Sequence, residues 1–328
     1  MSVYHGGDVW RGPSPDVILD FSANLNPEGP PEWVRAAMLR GLENARYYPD
    51  LRQAAALAGL SAHLGLPEDC ILPTAGGIEA IACVSKRFGS HAVAQPTFQE
   101  YGALCGGHRD VLRSELADYH PLPGETLWLC NPNNPTGDAL PREAVLALLE
   151  RLEAVGGRLV VDEAFIDYCS EHSVRDLVKD HPALIVPGSL TKVLAIPGVR
   201  LGYLAAHPTV VEGLREGLLP WRLNCVAEAV AAALPGHEGD FREIRRLNDA
   251  RRAAFAEALA GIGVKVYPSA ANFLLCDFGR DMRPDIERLR EMGLLVRPCG
   301  MFPGLTHGHV RLCVRTEGEN VRLVEAMK

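Results

Sequence analysis

The segment that decides the fold spans residues 183–206 and reads ALIVPGSLTKVLAIPGVRLGYLAA. It contains two short apolar runs, 183–189 and 200–206, which predict buried strands. Between them lies a single lysine, Lys192, which follows Ser189 and Thr191. Open α/β sheets bind ligands at the carboxyl ends of their strands. Lys192 therefore stands where such a sheet would hold a ligand.

Other apolar runs predict further strands, and helical patterns separate them. The strand candidates are 91–96, 126–132 and 158–165, and the stretch 142–157 is amphipathic and ends in two glycines, as a helix does. Because strands and helices alternate, we predict an α/β fold with a mostly parallel central sheet covered on both faces.

Three regions are expected along the chain. Residues 1–40 are rich in glycine and proline and predict an N-terminal arm that joins the smaller domain. Residues 41–215 carry the alternation of strands and helices and predict the large domain. Residues 216–328 begin with a long helical region near 221–262 and continue with short strands and helices, which predicts a small α+β domain.

The composition argues against several classes of function. The 328 residues carry a net charge of −8, and the basic residues form no run, so nucleic acid is not an expected partner. No signal peptide and no apolar run of membrane-spanning length is recognised, and the nine cysteines lack Cys-x-x-Cys spacing. These features predict a cytoplasmic protein with reduced thiols and no membrane partner. No metal is expected, although His307 and His309 lie close together.

Polar side chains follow the predicted strands. The segments concerned are 95–98, 131–137, 162–165 and 189–192. They offer an aromatic ring, amides, a carboxylate, hydroxyls and an amine, and these groups suit one kind of cofactor. A lysine amine bonds an aldehyde, and a carboxylate keeps a pyridine nitrogen protonated. Hydroxyls, an arginine and a helix N-terminus bind a phosphate.

Four motifs stand together in the order that one enzyme family uses. They are NPNNPTG (131–137), DEAF (162–165), SLTK (189–192) and the Arg200-Leu-Gly-Tyr that follows. With these motifs the chain resembles the fold-type I pyridoxal-phosphate enzymes over essentially its whole length. The resemblance implies pyridoxal 5′-phosphate as the cofactor and Lys192 as the catalytic amine that bonds its aldehyde. It implies these further cofactor contacts: Asp162 at the pyridine nitrogen, Asn134 at the ring hydroxyl, Phe98 on the ring face with Tyr101 in reserve, and Ser189, Arg200, Gly77 and Ile78 at the phosphate.

The resemblance also implies a homodimer. Tyr48, in the segment RYYPD (46–50), resembles a tyrosine that reaches the cofactor phosphate of the neighbouring subunit. The active sites would then lie at the interface between two copies of the chain.

Two branches of the family are most similar, the threonine-phosphate decarboxylases of cobalamin biosynthesis and the histidinol-phosphate aminotransferases. His5-Gly6-Gly7 followed by DFSANLNP (20–27) resembles the decarboxylase branch, as does DEAFIDY (162–168), where aminotransferases usually carry DEAY. The resemblance implies a small phosphorylated amino acid as substrate. It places the substrate carboxylate at Arg311, the substrate phosphate near Arg297, and His5 and Asn24 beside them. Strand alternation puts Arg315 on the same face as Arg311 and makes it the competitor, and Asn26 competes with Asn24 in the same way.

Three functions remain open at this stage. The leading hypothesis is decarboxylation of L-threonine O-3-phosphate to (R)-1-amino-2-propanol O-2-phosphate, with L-serine O-phosphate as a variant substrate. The second is the histidinol-phosphate aminotransferase reaction. The third is a non-catalytic cofactor-binding protein, against which the intact Lys192, Asp162, Asn134 and Arg200 argue.

Overall fold

The computed structural model describes residues 6–11 and 18–328. Its α-helices are α1 Glu32–Glu43, α2 Ala54–Leu64, α3 Gly77–Arg87, α4 Glu100–Leu104, α5 Arg142–Ala154, α6 Pro208–Arg215, α7 Cys225–Ala232, α8 Glu238–Gly261, α9 Arg283–Glu291 and α10 Glu317–Met327. Its strands are β1 Leu19–Asp20, β2 Ile71–Thr74, β3 His91–Gln95, β4 His108–Leu112, β5 Thr126–Cys130, β6 Arg158–Asp162, β7 Leu184–Ser189, β8 Gly202–Ala206, β9 Lys265–Val266, β10 Phe273–Asp277, β11 Leu294–Leu295, β12 Arg297–Pro298 and β13 His309–Cys313.

A large sheet of seven strands has the order β2-β8-β7-β6-β5-β3-β4. Strands β3 to β7 pair in parallel, and β8 runs antiparallel to both of its neighbours. Each strand candidate proposed for this sheet is present, so the predicted α/β fold with a mostly parallel sheet is confirmed. The sequence did not indicate β2, which is short and contains Pro73, or β4, whose residues are mostly exposed at the sheet edge.

Helices cover both faces of the large sheet, because alternate side chains of each strand point to opposite sides. Leu127 and Leu129 of β5 lie in a core that they share with helices α1, α2 and α5. Trp128, between them, belongs to a second core on the other face with helices α3, α4 and α6. A strand buried on both faces is apolar without alternation, which explains why these strands were visible in the sequence.

The smaller unit is built on the antiparallel sheet β12-β13-β10-β9. Strand β1 pairs in parallel with β11, and Phe21 lies in the same core as Leu312 and Leu323. Residues 19–21 of the predicted arm therefore pack on this unit. The domain boundaries expected at 40/41 and 215/216 stay a prediction, since α7 also packs against α1 and α2 and adds Ala227 to the large core.

Two further features differ from the expected pattern. Helix α1 begins at Glu32, directly after Pro31 and inside the stretch expected to be rich in loops. The long helical region near 221–262 is two helices, α7 and α8, which are separated by the Pro235-Gly236 turn. Helix α8 has 24 residues. Its Phe241 and Ile244 pack on the large core, while Phe255 and Leu259 lie in the small core. In the described part of the chain, no helix combines the length and apolar character that a membrane crossing requires.

Candidate active site

The parallel strands bring the predicted cofactor residues to one edge of the large sheet. Asp162 and Ser189 are the last residues of the neighbouring strands β6 and β7. Asn134 follows β5, which lies on the other side of β6, and Phe98 follows β3. Because parallel strands end at the same edge, side chains far apart in sequence meet there.

The Asp162 carboxylate is buried, and Tyr101 holds it. The Tyr101 hydroxyl donates to Asp162 Oδ2 at 2.7 Å, and the main-chain N–H of Ala164 donates to Oδ1 at 2.9 Å. Burial raises the pKa of Asp162, while these two hydrogen bonds lower it. The Tyr101 ring stacks on Trp128 with centroids 5.3 Å apart, so it belongs to the core beneath the site. Sequence spacing gave no signal for this partnership.

Phe98 remains the preferred candidate for the residue that stacks on the cofactor ring. Its half-buried ring meets the edge of Tyr101 at 5.6 Å between centroids. Tyr101, the reserve candidate, is fully buried and already bonded to Asp162. Of the two aromatic side chains, Phe98 therefore has the surface that a planar ring could cover.

Lys192 lies on the turn that follows β7, and its environment shifts the amine towards the neutral form. Burial lowers the pKa of Lys192 to about 8. The charges of Arg200 and Arg311 act in the same direction, while Asp162 opposes them. Within the described residues the Lys192 side chain makes no hydrogen bond, and its main-chain oxygen accepts from the N–H of Asn26 at 3.0 Å. An amine with a lowered pKa is a stronger nucleophile near neutral pH.

A glycine-lined cradle for an anion forms beside Ser189. Helix α3 begins at Gly77, after Gly76 with φ of +79°. A Cβ on Gly76 would stand 2.6 Å from Arg200 Nη2, and a Cβ on Gly202 would stand 2.7 Å from the carbonyl carbon of Gly76. Only glycine permits this close approach of an arginine to a helix N-terminus, which is a favourable position for a phosphate.

The hydroxyl and guanidinium groups of the cradle are held in place by local contacts. Ser189 Oγ lies 2.8 Å from Thr191 Oγ1. Arg200 has φ of +63°, and its Nη1 donates to the Pro197 carbonyl at 3.0 Å. Ile78, whose N–H belongs to the first turn of α3, is about one third exposed at 36%. The cradle thus has hydrogen-bond donors that can bind the oxygens of a phosphate.

Arg297 and Arg311 of the smaller unit stand directly opposite each other in the β12–β13 pair. They are only 4% and 6% exposed. Arg311 donates through Nη1 to the Asn134 amide oxygen and through Nη2 to the Ser22 carbonyl at 2.5 Å. Burial and the neighbouring charge of Arg297 lower the pKa of Arg311 to about 10, and the group remains charged at neutral pH.

Arg315, the competitor of Arg311, has a different setting. It lies beyond the end of β13 and donates through Nη2 to Glu319 Oε1 at 2.8 Å and through Nη1 to the Asp20 carbonyl at 3.2 Å. Its guanidinium also lies over the Phe21 ring. These contacts give Arg315 a role in joining residues 20–21 to α10, so Arg311 is the better substrate candidate.

Asn24 and Asn26, both in the predicted N-terminal arm, also differ in their hydrogen bonds. Asn24 is 5% exposed, and its Oδ1 has no hydrogen-bond partner in the described part of the chain. Asn26 instead shapes its own turn, since its Oδ1 accepts from the Glu28 N–H at 3.2 Å. An unpartnered buried oxygen costs free energy unless a ligand completes it, which favours Asn24 over Asn26. His5 lies outside the described residues.

Tyr48 is separate from this group. Its side chain is 81% exposed, and its ring contacts Trp221 at 4.9 Å between centroids.

Among residues 6–11 and 18–328, His, Cys, Asp and Glu side chains form no group of three or more that could hold a metal. All nine cysteines are free.

The residues fit the cofactor that the motifs imply. A glycine-lined anion cradle, a buried carboxylate, an amide and an amine with a lowered pKa meet at one sheet edge. This combination of fold and site defines a fold-type I pyridoxal-phosphate enzyme. The amine would bond the aldehyde, the carboxylate would hold the ring nitrogen, and the cradle would bind the phosphate.

Comparison with known proteins agrees with this class. Residues 110–327 match the family model described as aminotransferase class I and II. The threonine-phosphate decarboxylase of Salmonella typhimurium is 34% identical, and the alignment covers 99% of this chain and 95% of that protein. The histidinol-phosphate aminotransferase of Methanoculleus marisnigri is 29% identical over 98% of this chain and 93% of that protein.

Solved structures show the same architecture. The histidinol-phosphate aminotransferase of Clostridium acetobutylicum aligns with a TM-score of 0.85 at 25% identity and covers 94% of this chain and 98% of that one. The L-threonine-O-3-phosphate decarboxylase of Porphyromonas gingivalis aligns with a TM-score of 0.85 at 24% identity, covering 94% and 97%. The chain belongs to the aminotransferase class I and II family. This membership confirms the predicted enzyme class and its cofactor, pyridoxal 5′-phosphate.

Proposed function

We propose that this enzyme decarboxylates L-threonine O-3-phosphate to (R)-1-amino-2-propanol O-2-phosphate. The observation that carries the proposal is the pair of buried arginines, Arg297 and Arg311, opposite each other in register. Arg311 bonds an amide oxygen and a carbonyl oxygen, and it forms no ion pair with a carboxylate among the described residues. A buried guanidinium without a carboxylate partner favours an anionic group of the substrate, which we place at Arg311, and Arg297, opposite Arg311 in register, offers a second guanidinium for a phosphate.

The spacing of the pair suits a short substrate. Side chains directly opposite in an antiparallel pair leave the sheet on the same face with Cβ atoms ~4.5–5.5 Å apart. In threonine phosphate only the α-carbon, the β-carbon and the ester oxygen separate the carboxylate carbon from the phosphorus. Histidinol phosphate has a phosphate but no carboxylate. The pair therefore favours a phosphorylated amino acid, with the carboxylate at Arg311 and the phosphate at Arg297.

The side chains then have distinct tasks. Arg311 holds the carboxylate, and Asn24 Oδ1, which has no hydrogen-bond partner among the described residues, can accept from a donor of the substrate or cofactor. Asp162, fixed by Tyr101, keeps the ring nitrogen protonated. A cofactor held by these residues would supply an acceptor for the electrons of the bond that breaks, between the α-carbon and the carboxylate. Carbon dioxide leaves, and Lys192 Nζ delivers a proton to the α-carbon.

We further propose that the enzyme works as a homodimer. The exposed rings of Tyr48 and Trp221 are in contact, and Tyr47, Leu51 and Leu219, which are close to them in sequence, are each at least 60% exposed. Exposed apolar clusters mark association surfaces in proteins. A second copy that covers these side chains would bring Tyr48 towards the neighbouring cofactor phosphate, as the motif implies.

A cytoplasmic location and a place in cobalamin biosynthesis complete the proposal. Nine free cysteines support a reducing compartment. The pathway is supported by the resemblance to the decarboxylase branch alone.

Release of carbon dioxide tests the proposal directly. Purified cofactor-loaded enzyme receives L-threonine O-phosphate without any keto acid, and released carbon dioxide is counted over many turnovers. Catalytic release that is lost in Lys192→Ala supports the decarboxylase, and a parallel assay with L-serine O-phosphate measures the preference for the methyl group. The competing activity has support from aminotransferase relatives of similar identity. Amino transfer from histidinol phosphate to 2-oxoglutarate, with no carbon dioxide from threonine phosphate, would establish it instead.

A further inference from the structure

One contact joins the large-sheet side of the site to the smaller unit at its rim. Gln99, next in sequence to the candidate ring-stacking residue Phe98, donates through Nε2 to the main-chain oxygen of Met301 at 3.3 Å. Met301 lies on the loop that follows β12, the strand of Arg297. The two residues are 202 positions apart in sequence. The contact therefore links the 299–305 loop to the segment that carries Phe98.

The same loop encloses the guanidinium of Arg297. Met301 Sδ lies 3.8 Å from Arg297 Nη2, and the Phe302 ring centroid lies 5.7 Å from Arg297 Cζ. Phe302 is buried with Leu275 and Cys299 and anchors the loop. Met301 is 43% exposed. It is therefore the outer wall beside Arg297, while Phe302 is part of the core.

We propose that Met301 is a specificity-determining residue, held in place by Gln99. The inference rests on the proposed function, in which Arg297 binds the substrate phosphate. A thioether beside Nη2 leaves room for a phosphate on a short, unbranched or methyl-bearing chain. A substrate whose carbon skeleton carries a ring, such as the imidazole of histidinol phosphate, would meet the Met301 side chain. Apolar walls of this kind discriminate by ~10–200-fold for a small group.

The test measures binding as well as turnover. Cofactor-loaded wild type and Met301→Ala are titrated with L-threonine O-phosphate and with L-histidinol phosphate, and the change in cofactor absorbance gives each dissociation constant. We expect the preference for threonine phosphate over histidinol phosphate to fall by about tenfold in Met301→Ala, through tighter binding of the larger ligand. Gln99→Leu, which removes the donor and keeps the bulk, should shift the preference in the same direction by a smaller factor.

Met292→Ala is the matched control. This methionine is 47% exposed, and its Sδ lies 3.9 Å from an arginine, Arg288, at the end of α9. Met292→Ala removes the same kind of side chain beside a different arginine. Its preference for threonine phosphate over histidinol phosphate should therefore equal that of the wild type. An unchanged preference in Met301→Ala, or a wild type that binds both ligands equally, would overturn the inference.

Carbon dioxide release separates this inference from the proposed function. A wild type that releases none from threonine phosphate refutes the decarboxylase. A preference that still falls in Met301→Ala would then support Met301 as a size filter for another reaction.

Discussion

Replacing Tyr101 with phenylalanine tests whether the carboxylate beneath the cofactor is tuned by its neighbour. The substitution removes one hydroxyl, which donates to Asp162 Oδ2 at 2.7 Å, and keeps the ring that stacks on Trp128. Burial already raises the pKa of Asp162, and Tyr101 is the strongest of the groups that lower it. Without the hydroxyl, the pKa of Asp162 rises further, and the ionised form becomes less favourable.

The magnitude follows from the contact. A hydrogen bond to a charged group contributes ~1.5–3 kcal/mol, and this corresponds to a factor of about 10–150 in the ratio of ionised to protonated Asp162. Because ionised Asp162 holds the ring nitrogen, we expect kcat to fall about tenfold or more near neutral pH and cofactor affinity to weaken. The acid limb of the pH profile of kcat should move to higher pH.

The assay records kcat between pH 5 and 9 together with the dissociation constant of pyridoxal 5′-phosphate. Tyr168→Phe is the control, since Tyr168 is equally buried and its hydroxyl accepts from Asn272 at 3.2 Å. If Tyr101→Phe kept the wild-type acid limb and cofactor affinity, the reasoning that Tyr101 tunes Asp162 would be refuted.

Three further predictions concern the substrate arginine, the phosphate cradle and stability. Arg311→Ala should lower kcat/KM by about 100-fold, because it removes a buried charged contact worth ~2–5 kcal/mol. Arg315→Ala should instead lower Tm and change kcat/KM little. Equal effects of the two substitutions on kcat/KM would contradict the assignment of the substrate carboxylate to Arg311. Gly76→Ala, with φ of +79° and a Cβ 2.6 Å from Arg200 Nη2, should weaken cofactor binding by about tenfold or more in an absorbance titration, and an unchanged affinity would remove the cradle from this position. Burial lowers the pKa of His63 to about 4. Because the unfolded chain binds this proton below pH ~6.5, folding stability falls between pH 6.5 and 4, by up to ~3 kcal/mol. Denaturation of His63→Leu over that range should show a smaller loss than the wild type, and parallel curves would argue against a buried neutral imidazole.

The sequence predicted the parts of the fold that carry their own signal. Strands β5, β6 and β7 are buried on both faces, so their apolar runs were visible without a structure. Strand β4, HRDVL, is an edge strand with mostly exposed residues and lacks such a run. Asp162 and Ser189 were found because they end buried strands.

The contacts between distant residues could not be predicted in this way. Tyr101 and Asp162 are 61 positions apart, and Gln99 and Met301 are 202 apart. Their partnership depends on how α4 packs on the sheet and how the smaller unit sits against the larger one. Strand alternation alone likewise placed Arg315 beside Arg311, whereas the chain leaves β13 before Arg315 and turns into α10.

Helix α8 has a consequence for protein engineering. It spans ~36 Å at the usual rise per residue, with Phe241 at one end in the large core and Phe255 towards the other in the small core. Because one continuous helix packs against both cores, we expect the two cores to unfold together in a single calorimetric transition. A chimera that takes its smaller unit from a relative would therefore need the whole helix. The junction should be placed at Pro235-Gly236, in the turn that separates α7 from α8.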